Sequence, residues 1–316
     1  MARVGRRAHA PLTMATGART LRGSLLVLVS AVCFGSLALC ARLAYADGVD
    51  TATLLAVRFV LAALVLAAPL AARRIALPRG RTLFGYLMMG AVYTSMAWTY
   101  FSALHFASSS TVALVLYTYP AIVAAASAAL RIDRFGMPEW LSVAASTAGL
   151  ALLVGTGLQG SATGVGLAFA SAVLYAGYIV TGSKLGDAGT NPLAGSWVIL
   201  AAAGALNAAL AVGAGPHFPH SAAGWAAAGA MMLIGGVFAI VTFIAGLREV
   251  GPTLASVLST LEPVVTVTLG IGFLGEALHG SSLAGALLIL GAAVGLTLAR
   301  AQRSQPERAA RCARVA

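Results

Sequence analysis

The stretch "VLSTLEPVVTV", Val257 to Val267, sets a carboxylate, Glu262, and a helix breaker, Pro263, in the middle of an apolar run. Glu262 is the only charged residue between Gly251 and Leu274. A carboxylate at such a place needs a partner or a wet cavity, and a proline removes a backbone hydrogen bond. What surrounds the run decides what the pair is for.

The 316 residues are 59% hydrophobic and 9% charged, with a mean hydropathy of +0.91. Soluble domains carry about 25% charged residues to keep a wettable surface. This chain has too little charge for that, so its solvent is a bilayer. The formal net charge of +11 does not point to nucleic acid, because the basic residues cluster at the ends and in one loop. Clusters flanking apolar spans set topology and touch anionic lipid. Cys33, Cys40 and Cys312 have neither disulfide nor metal spacing, so no metal and no cofactor are expected. The basic start runs into an apolar span with no small-residue cleavage site, which reads as a retained first helix.

A spanning helix needs about 20 apolar residues. By that measure the chain divides near 22–45, 50–72, 82–104, 107–130, 137–155, 161–183, 191–213, 222–247, 251–274 and 280–299. Ten transmembrane helices in an all-α integral membrane protein are the expectation. With the N-terminus inside, 18 of the 20 Lys and Arg fall on inner segments, Arg42 and Arg58 being the two outside the pattern. Both termini are then cytoplasmic. Residues 1–21 and 300–316 are basic tails.

The chain also matches itself. "VLYTYPAIVA" aligns with "VLSTLEPVVT", placing Tyr119 on Glu262 and Pro120 on Pro263; Asp133 then falls on Glu276, each 13 residues past its proline. The two repeats run over 22–155 and 161–299. Five spans per repeat is an odd number, so the second repeat crosses the membrane upside down. Inverted repeats of this kind place a site near the midplane between the halves. Pro120 and Pro263 are expected to bend their helices there.

These residues, together with "STLEPVVTVTLGIGFLGEALHGSSLAGALLILGAAVGL" and "LYTYPAIVAAASAALRID", resemble the drug/metabolite transporter superfamily in its EamA-like branch of ten-helix carriers. The resemblance covers nearly everything between Arg22 and Arg300. It implies a multi-pass carrier of the bacterial inner membrane, most often an exporter of amino acids, other small metabolites or drugs. The first repeat departs from the family pattern where Tyr119 replaces the acid and Asp133 the second Glu.

The candidate binding or coupling residues follow from depth. Glu262 lies 11 residues into its span, roughly 16 Å deep at 1.5 Å per residue. Arg58 lies roughly 12 Å deep from the opposite face, so the two share a level and an ion pair between them is one reading. Trp98, Tyr119 and Tyr175 are the aromatic candidates; interfacial anchoring is the alternative for Trp98, and packing for the tyrosines. Asp133 and Glu276 read as polar helix ends or gates. Gly291 and Gly295, four apart, suit close helix packing.

Catalysis has no support: Ser196 lies in a span without a mid-span histidine to serve as base. With no nucleotide loop, transport is driven by a gradient. The expectation is a secondary active exporter of a small organic solute, working by alternating access with proton antiport. A facilitator or importer, or a non-transporting receptor, are the alternatives. The lipid bilayer and a small-molecule substrate are the expected partners, and the sequence is compatible with a homodimer.

Overall fold

The computed structural model describes residues 11–103, 105–107, 109–132, 136–154, 160–186, 189–274 and 280–303. Asp133, Glu276 and Cys312 lie outside the described residues. Everything regular among those described is helical, apart from one isolated bridge between Ala107 and Gly160.

The helices are α1 (Pro11–Gly35), α2 (Leu37–Ala46), α3 (Thr51–Ala72), α4 (Gly80–Ala103), α5 (Ser109–Leu116), α6 (Tyr119–Ala129) and α7 (Met137–Val154) in the first half. The second half holds α8 (Ala162–Gly186), α9 (Pro192–Ala214), α10 (Ala222–Ala230), a π-helical segment (Met231–Phe238), α11 (Ala239–Val250), α12 (Pro252–Ser259), α13 (Glu262–Leu274) and α14 (Gly280–Arg303). Among the described residues six runs are long and apolar enough to cross a membrane: Arg19–Ala46, Thr51–Ala72, Ala162–Gly186, Pro192–Ala214, Ala222–Val250 and Pro252–Phe273. Tyr119–Ala129 and Leu283–Ala299 are shorter apolar helices.

Local chemistry explains where helices start and stop. Asp50 caps α3 by accepting from the Thr53 amide (3.0 Å), and Asn191 and Ser221 cap α9 and α10 in the same way. The prolines do something sharper than the expected bend. Pro120 and Pro263 each sit in the first turn of a new helix, α6 or α13, after a two-residue turn at Tyr117–Thr118 or Thr260–Leu261. A proline in a first turn sacrifices no hydrogen bond, because that amide has no partner within the helix. The helix therefore breaks just before the ring and restarts with it. At both turns the threonine hydroxyl donates to the carbonyl three residues back, Thr118 to Val115 (2.7 Å) and Thr260 to Val257 (2.6 Å).

A third break separates α1 from α2, with the Ser36 hydroxyl donating to the Cys33 carbonyl at 2.8 Å. Gly35 is required here by space: a Cβ on it would sit 2.5 Å from the Glu262 carbonyl oxygen. The Gly35 carbonyl accepts from the Thr266 hydroxyl at 2.8 Å. So the α1–α2 break lies directly against the start of α13.

The main packing partners all join the two halves: α3 with α9, α7 with α14, α4 with α8, and α1 with α11. Exchanging the halves by their sequence match leaves this set unchanged, since α3 corresponds to α9, α7 to α14, and α4–α8 to α11–α1. Glycines set the close crossings. A Cβ on Gly149 or Gly285 would lie 2.8 or 2.4 Å from the other's carbonyl oxygen. Gly291 and Gly295 have nothing within 4 Å of an added Cβ. The expected close packing on α14 thus runs through Gly285, one face round from that pair. Large apolar side chains such as Leu64, Val212, Phe273 and Leu287 are exposed on the outside. In water such a surface would aggregate; in a bilayer it is the lipid face.

Candidate functional site

Glu262 opens α13 beside the break in α5–α6. Its Oε2 accepts from the Tyr117 hydroxyl at 3.3 Å. Its Oε1 is enclosed and has no hydrogen-bond partner among the described residues. The side chain as a whole is only half-buried, so the enclosed oxygen, and not the whole group, is what protein surrounds.

From Tyr117 a row of aromatic rings runs through the core. Tyr117 to Tyr119 is 5.8 Å between centroids, Tyr119 to Tyr175 4.5 Å, Tyr175 to Tyr178 6.2 Å, and Tyr178 to Tyr93 5.4 Å. Phe59 continues it edge-on to Tyr93 at 5.5 Å, and Phe243 stacks on Tyr178 at 6.2 Å. These separations suit offset and edge-to-face ring pairs. Tyr119 is fully buried, and its hydroxyl donates to the Ser256 carbonyl at 3.3 Å. The structure thus brings together Glu262, Tyr119 and Tyr175, with Pro120 and Pro263 fixing the two helix starts beside them.

Arg58 closes the far end of the row, where it does not meet Glu262. Its Nη2 donates to the Gly235 carbonyl at 2.7 Å and to the Tyr93 hydroxyl at 3.4 Å. Its guanidinium carbon lies 4.8 Å from the Phe59 ring centroid. The shared depth of Arg58 and Glu262 therefore does not become an ion pair: five tyrosines stand in the chain of contacts between them. Arg58 instead ties α3 to the π-helical segment. Trp98 is also placed elsewhere. It packs with Ala52, Ala56 and Ala211, away from the tyrosine row.

Two features escaped the sequence reading. One is the Arg58 hydrogen bond to the Gly235 carbonyl in the π-helical segment, signalled only by a glycine pair inside a span. The other is a polar junction between the halves at the loops around 47–50 and 217–221. Asp47 Oδ2 accepts from the His220 and Ser221 amides at 2.7 and 2.9 Å. Asp50 Oδ2 accepts from the His217 amide at 3.0 Å, and His217 Nδ1 lies 3.6 Å from it. The Ser221 amide and hydroxyl, with the His220 amide, hold the Asp47 carboxyl below its usual range. For Asp50, burial is the largest influence and pushes upward, but the Thr53 hydroxyl and the amides of Thr53, His217 and Ala52 together outweigh it and lower the value. The signal was two acids and two histidines in loops, ordinary enough to read as solvated. Among the described residues no three His, Cys, Asp or Glu side chains gather as metal ligands would.

Comparison with known proteins places this geometry in context. The model of the EamA-like transporter family matches the chain twice, over residues 21–155 and 162–298. The uncharacterized inner membrane transporter YedA of Escherichia coli K12 is 32% identical over 142 residues, which are 44% of this chain and 46% of YedA. The forms from two other E. coli strains, O6:H1 and O157:H7, match equally. The chain thus aligns with about half the length of these curated relatives. A solved crystal structure superposes with a TM-score of 0.76 at 25% identity, over 89% of this chain and 98% of the other.

Proposed function

Since the chain belongs to the EamA-like transporter family, a family of membrane transporters, we propose that it is a secondary active carrier of a small organic solute. In this reading it crosses the bacterial inner membrane ten times, with both termini cytoplasmic. Residues 22–155 and 161–299 are two inverted five-helix repeats that alternate access to one site. It exports its solute in exchange for protons, and Glu262 is the residue that couples the two.

The observation that carries the proposal is the meeting of helix breaks at one acid. The α1–α2 break touches the Glu262 backbone through Gly35. The α5–α6 break delivers Tyr117 to the Glu262 carboxyl. The α12–α13 break places Glu262 itself. Discontinuous helices are how carriers expose backbone and side-chain polarity at membrane depth, and such helix ends are tolerated only against protein or water. The packing set that survives exchange of the halves supports the inverted repeat. Inward-pointing basic loops and the apolar girdle support the orientation and the lipid face.

Mechanistically, Glu262 accepts a proton from one side, crosses the reorientation neutral, and releases the proton when solute enters. Tyr117 is the hydroxyl that holds Oε2 while this happens, and Tyr119 and Tyr175 form the wall that the solute meets. Arg58 takes no part in the exchange; it braces α3 against the π-helical segment. The test is reconstituted protein in liposomes with and without an imposed pH gradient. Glu262→Gln should insert and still exchange solute for solute, yet lose gradient-driven flux. Full gradient-driven flux in that variant would leave a simple facilitator.

A further inference from the structure

We infer that an anionic phospholipid is held where α3 meets α9, its headgroup phosphate on Arg74 and an acyl chain in the groove beside it. The inference goes beyond the carrier reading above and takes from it only the orientation, which makes this the inner leaflet.

The groove is the first observation. Ala67, Leu70 and Ala71 share one stripe of α3, and the stripe continues to Arg74 just past the helix end. Leu77 from the following loop and Trp197 from α9 complete an open, mostly apolar groove of about 430 Å³. Small-molecule sites have this size. Ala67 lies five residues before the end of α3, and Trp197 five past the start of α9. At 1.5 Å per residue both are roughly 7.5 Å from the helix ends, near the boundary between headgroups and acyl chains. Since α3 and α9 belong to different halves, whatever fills the groove touches both.

The second observation is unopposed charge. Arg73, Arg74, Arg79 and Arg81 are all exposed in and beside the α3–α4 loop. Among the described residues none of the four has an ion-pair partner or a side-chain hydrogen bond. The sequence holds no Asp or Glu between Asp50 and Asp133. Of the four arginines, Arg74 lines the groove. A ligand seated there is matched if it is apolar along α3 and negative at the loop, which is the layout of an anionic phospholipid.

The third observation is the backbone at Arg74. At the end of α3 the Arg74 amide donates to the Ala71 carbonyl at 3.1 Å, and the Ile75 amide to the Leu70 carbonyl at 3.0 Å. In such an ending the position of Arg74 takes a positive φ and is usually glycine. Arg74 holds φ 47°, where a Cβ is crowded. The chain thus keeps a guanidinium at the mouth of the groove despite a steric cost that glycine would spare. Arg131 ends α6 in the same way, with φ 54°, but is not part of the groove lining. It is the matched control.

The experiment melts the full-length protein in uncharged detergent micelles with dioleoyl phosphatidylglycerol, dioleoyl phosphatidylcholine or glycerol phosphate. The two lipids share their chains and differ in headgroup charge; glycerol phosphate is the head alone. Phosphatidylglycerol should raise the melting temperature about 2–4 °C above phosphatidylcholine, and glycerol phosphate should leave it unchanged. Arg74→Gly relieves the backbone, so it should fold, yet bind phosphatidylglycerol about fivefold more weakly and lose most of the difference. Arg131→Gly removes the same charge and should keep the difference. Ala71→Phe fills the groove from an exposed position with every charge intact, and should lose it. Should Arg74→Gly not fold, Arg74→Asn, also at ease at positive φ, takes its place. Equal effects of the two lipids would overturn the inference. Equal losses in Arg74→Gly and Arg131→Gly would also overturn it, by assigning the effect to the charge of the whole inner face. So would a preference that survives Ala71→Phe, or glycerol phosphate that stabilises as much as the lipid, which would mark a free phosphate site. The readout is melting and not flux. Lipid binding without transport of any solute would refute the carrier reading alone, and transport without lipid preference would refute this inference alone.

Discussion

The two halves of the molecule share a plan and differ in their chemistry at the same position. Each has a helix interrupted by a two-residue turn, a threonine bonded to the carbonyl three residues back, and a proline in the next first turn. Where the second half then presents Glu262, the first presents Tyr119. The acid accepts from Tyr117 and keeps one oxygen unpartnered; the tyrosine is fully buried and spends its hydroxyl on Ser256. A duplicated frame thus carries an acid in one copy and a buried phenol in the other. The halves differ again in α4, which is continuous, and its counterpart, which contains the π-helical segment. The matched turns are common to both halves, and the side chain presented after them is not.

This comparison can be broken most directly at the matched pair. Glu262→Gln should cut pH-driven flux in liposomes by more than about tenfold, a loss of roughly 1.4 kcal/mol or more in the driven step. Tyr119→Phe, at the corresponding place, should change it by less than about threefold. Equal losses at the two positions would mean that both repeats carry the chemistry.

The next effect is on stability and tests the contact between repeat counterparts α7 and α14. Gly285→Val, where a Cβ would lie 2.4 Å from the Gly149 carbonyl, should destabilise the protein by about 1–3 kcal/mol, as overpacking does. Gly295→Val, with nothing within 4 Å, should leave thermal unfolding in detergent unchanged. Arg58→Met should cost about 1.5–3 kcal/mol through its lost charged hydrogen bond to Gly235. It should leave the number of protons exchanged per solute the same. A changed proton count would return Arg58 to the coupling machinery.

The smallest effect lies at the loop junction between the halves. The Asp50 carboxyl is lowered in the folded protein relative to its ordinary value near 3.9. A group lowered by folding stabilises the native state above its unfolded pKa, and that stabilisation is lost as pH falls through the folded value. Asp50→Asn should therefore lower the melting temperature slightly at neutral pH. The gap to the parent protein should narrow as pH drops below about 4. A gap independent of pH would show that the loss comes from altered cap geometry and not from the ionised carboxylate.

Much of this was legible from the sequence, because a bilayer imposes simple rules. Low charge, apolar runs and their flanking arginines made an all-helical membrane protein readable, and Tyr119–Pro120 against Leu261–Glu262–Pro263 made the repeat readable. Glu262, Tyr119 and Tyr175 were singled out from the sequence and adjoin one another in the fold. Arg58 and Trp98, also singled out, lie at the far end of the tyrosine row and outside it. Depth gives a coordinate along the membrane normal, but it says nothing about which way a side chain points round the helix. The break in α1–α2 left only Gly35–Ser36 as a trace, and glycines are too common in this chain to single one out. Asp47 and Asp50 were passed over because their partners are backbone amides, which no pattern of side chains announces.

The π-helical segment has a consequence for how the two halves can be superimposed. Closing each turn on the fifth following residue accommodates one more residue than an α-turn does. α4, its counterpart, is α-helical throughout, so the two halves cannot be superimposed residue for residue across Met231–Phe238. The change of pitch falls where the segment meets α3: the Gly235 carbonyl accepts from Arg58, and a Cβ on Gly236 would lie 2.8 Å from the Ala62 Cβ.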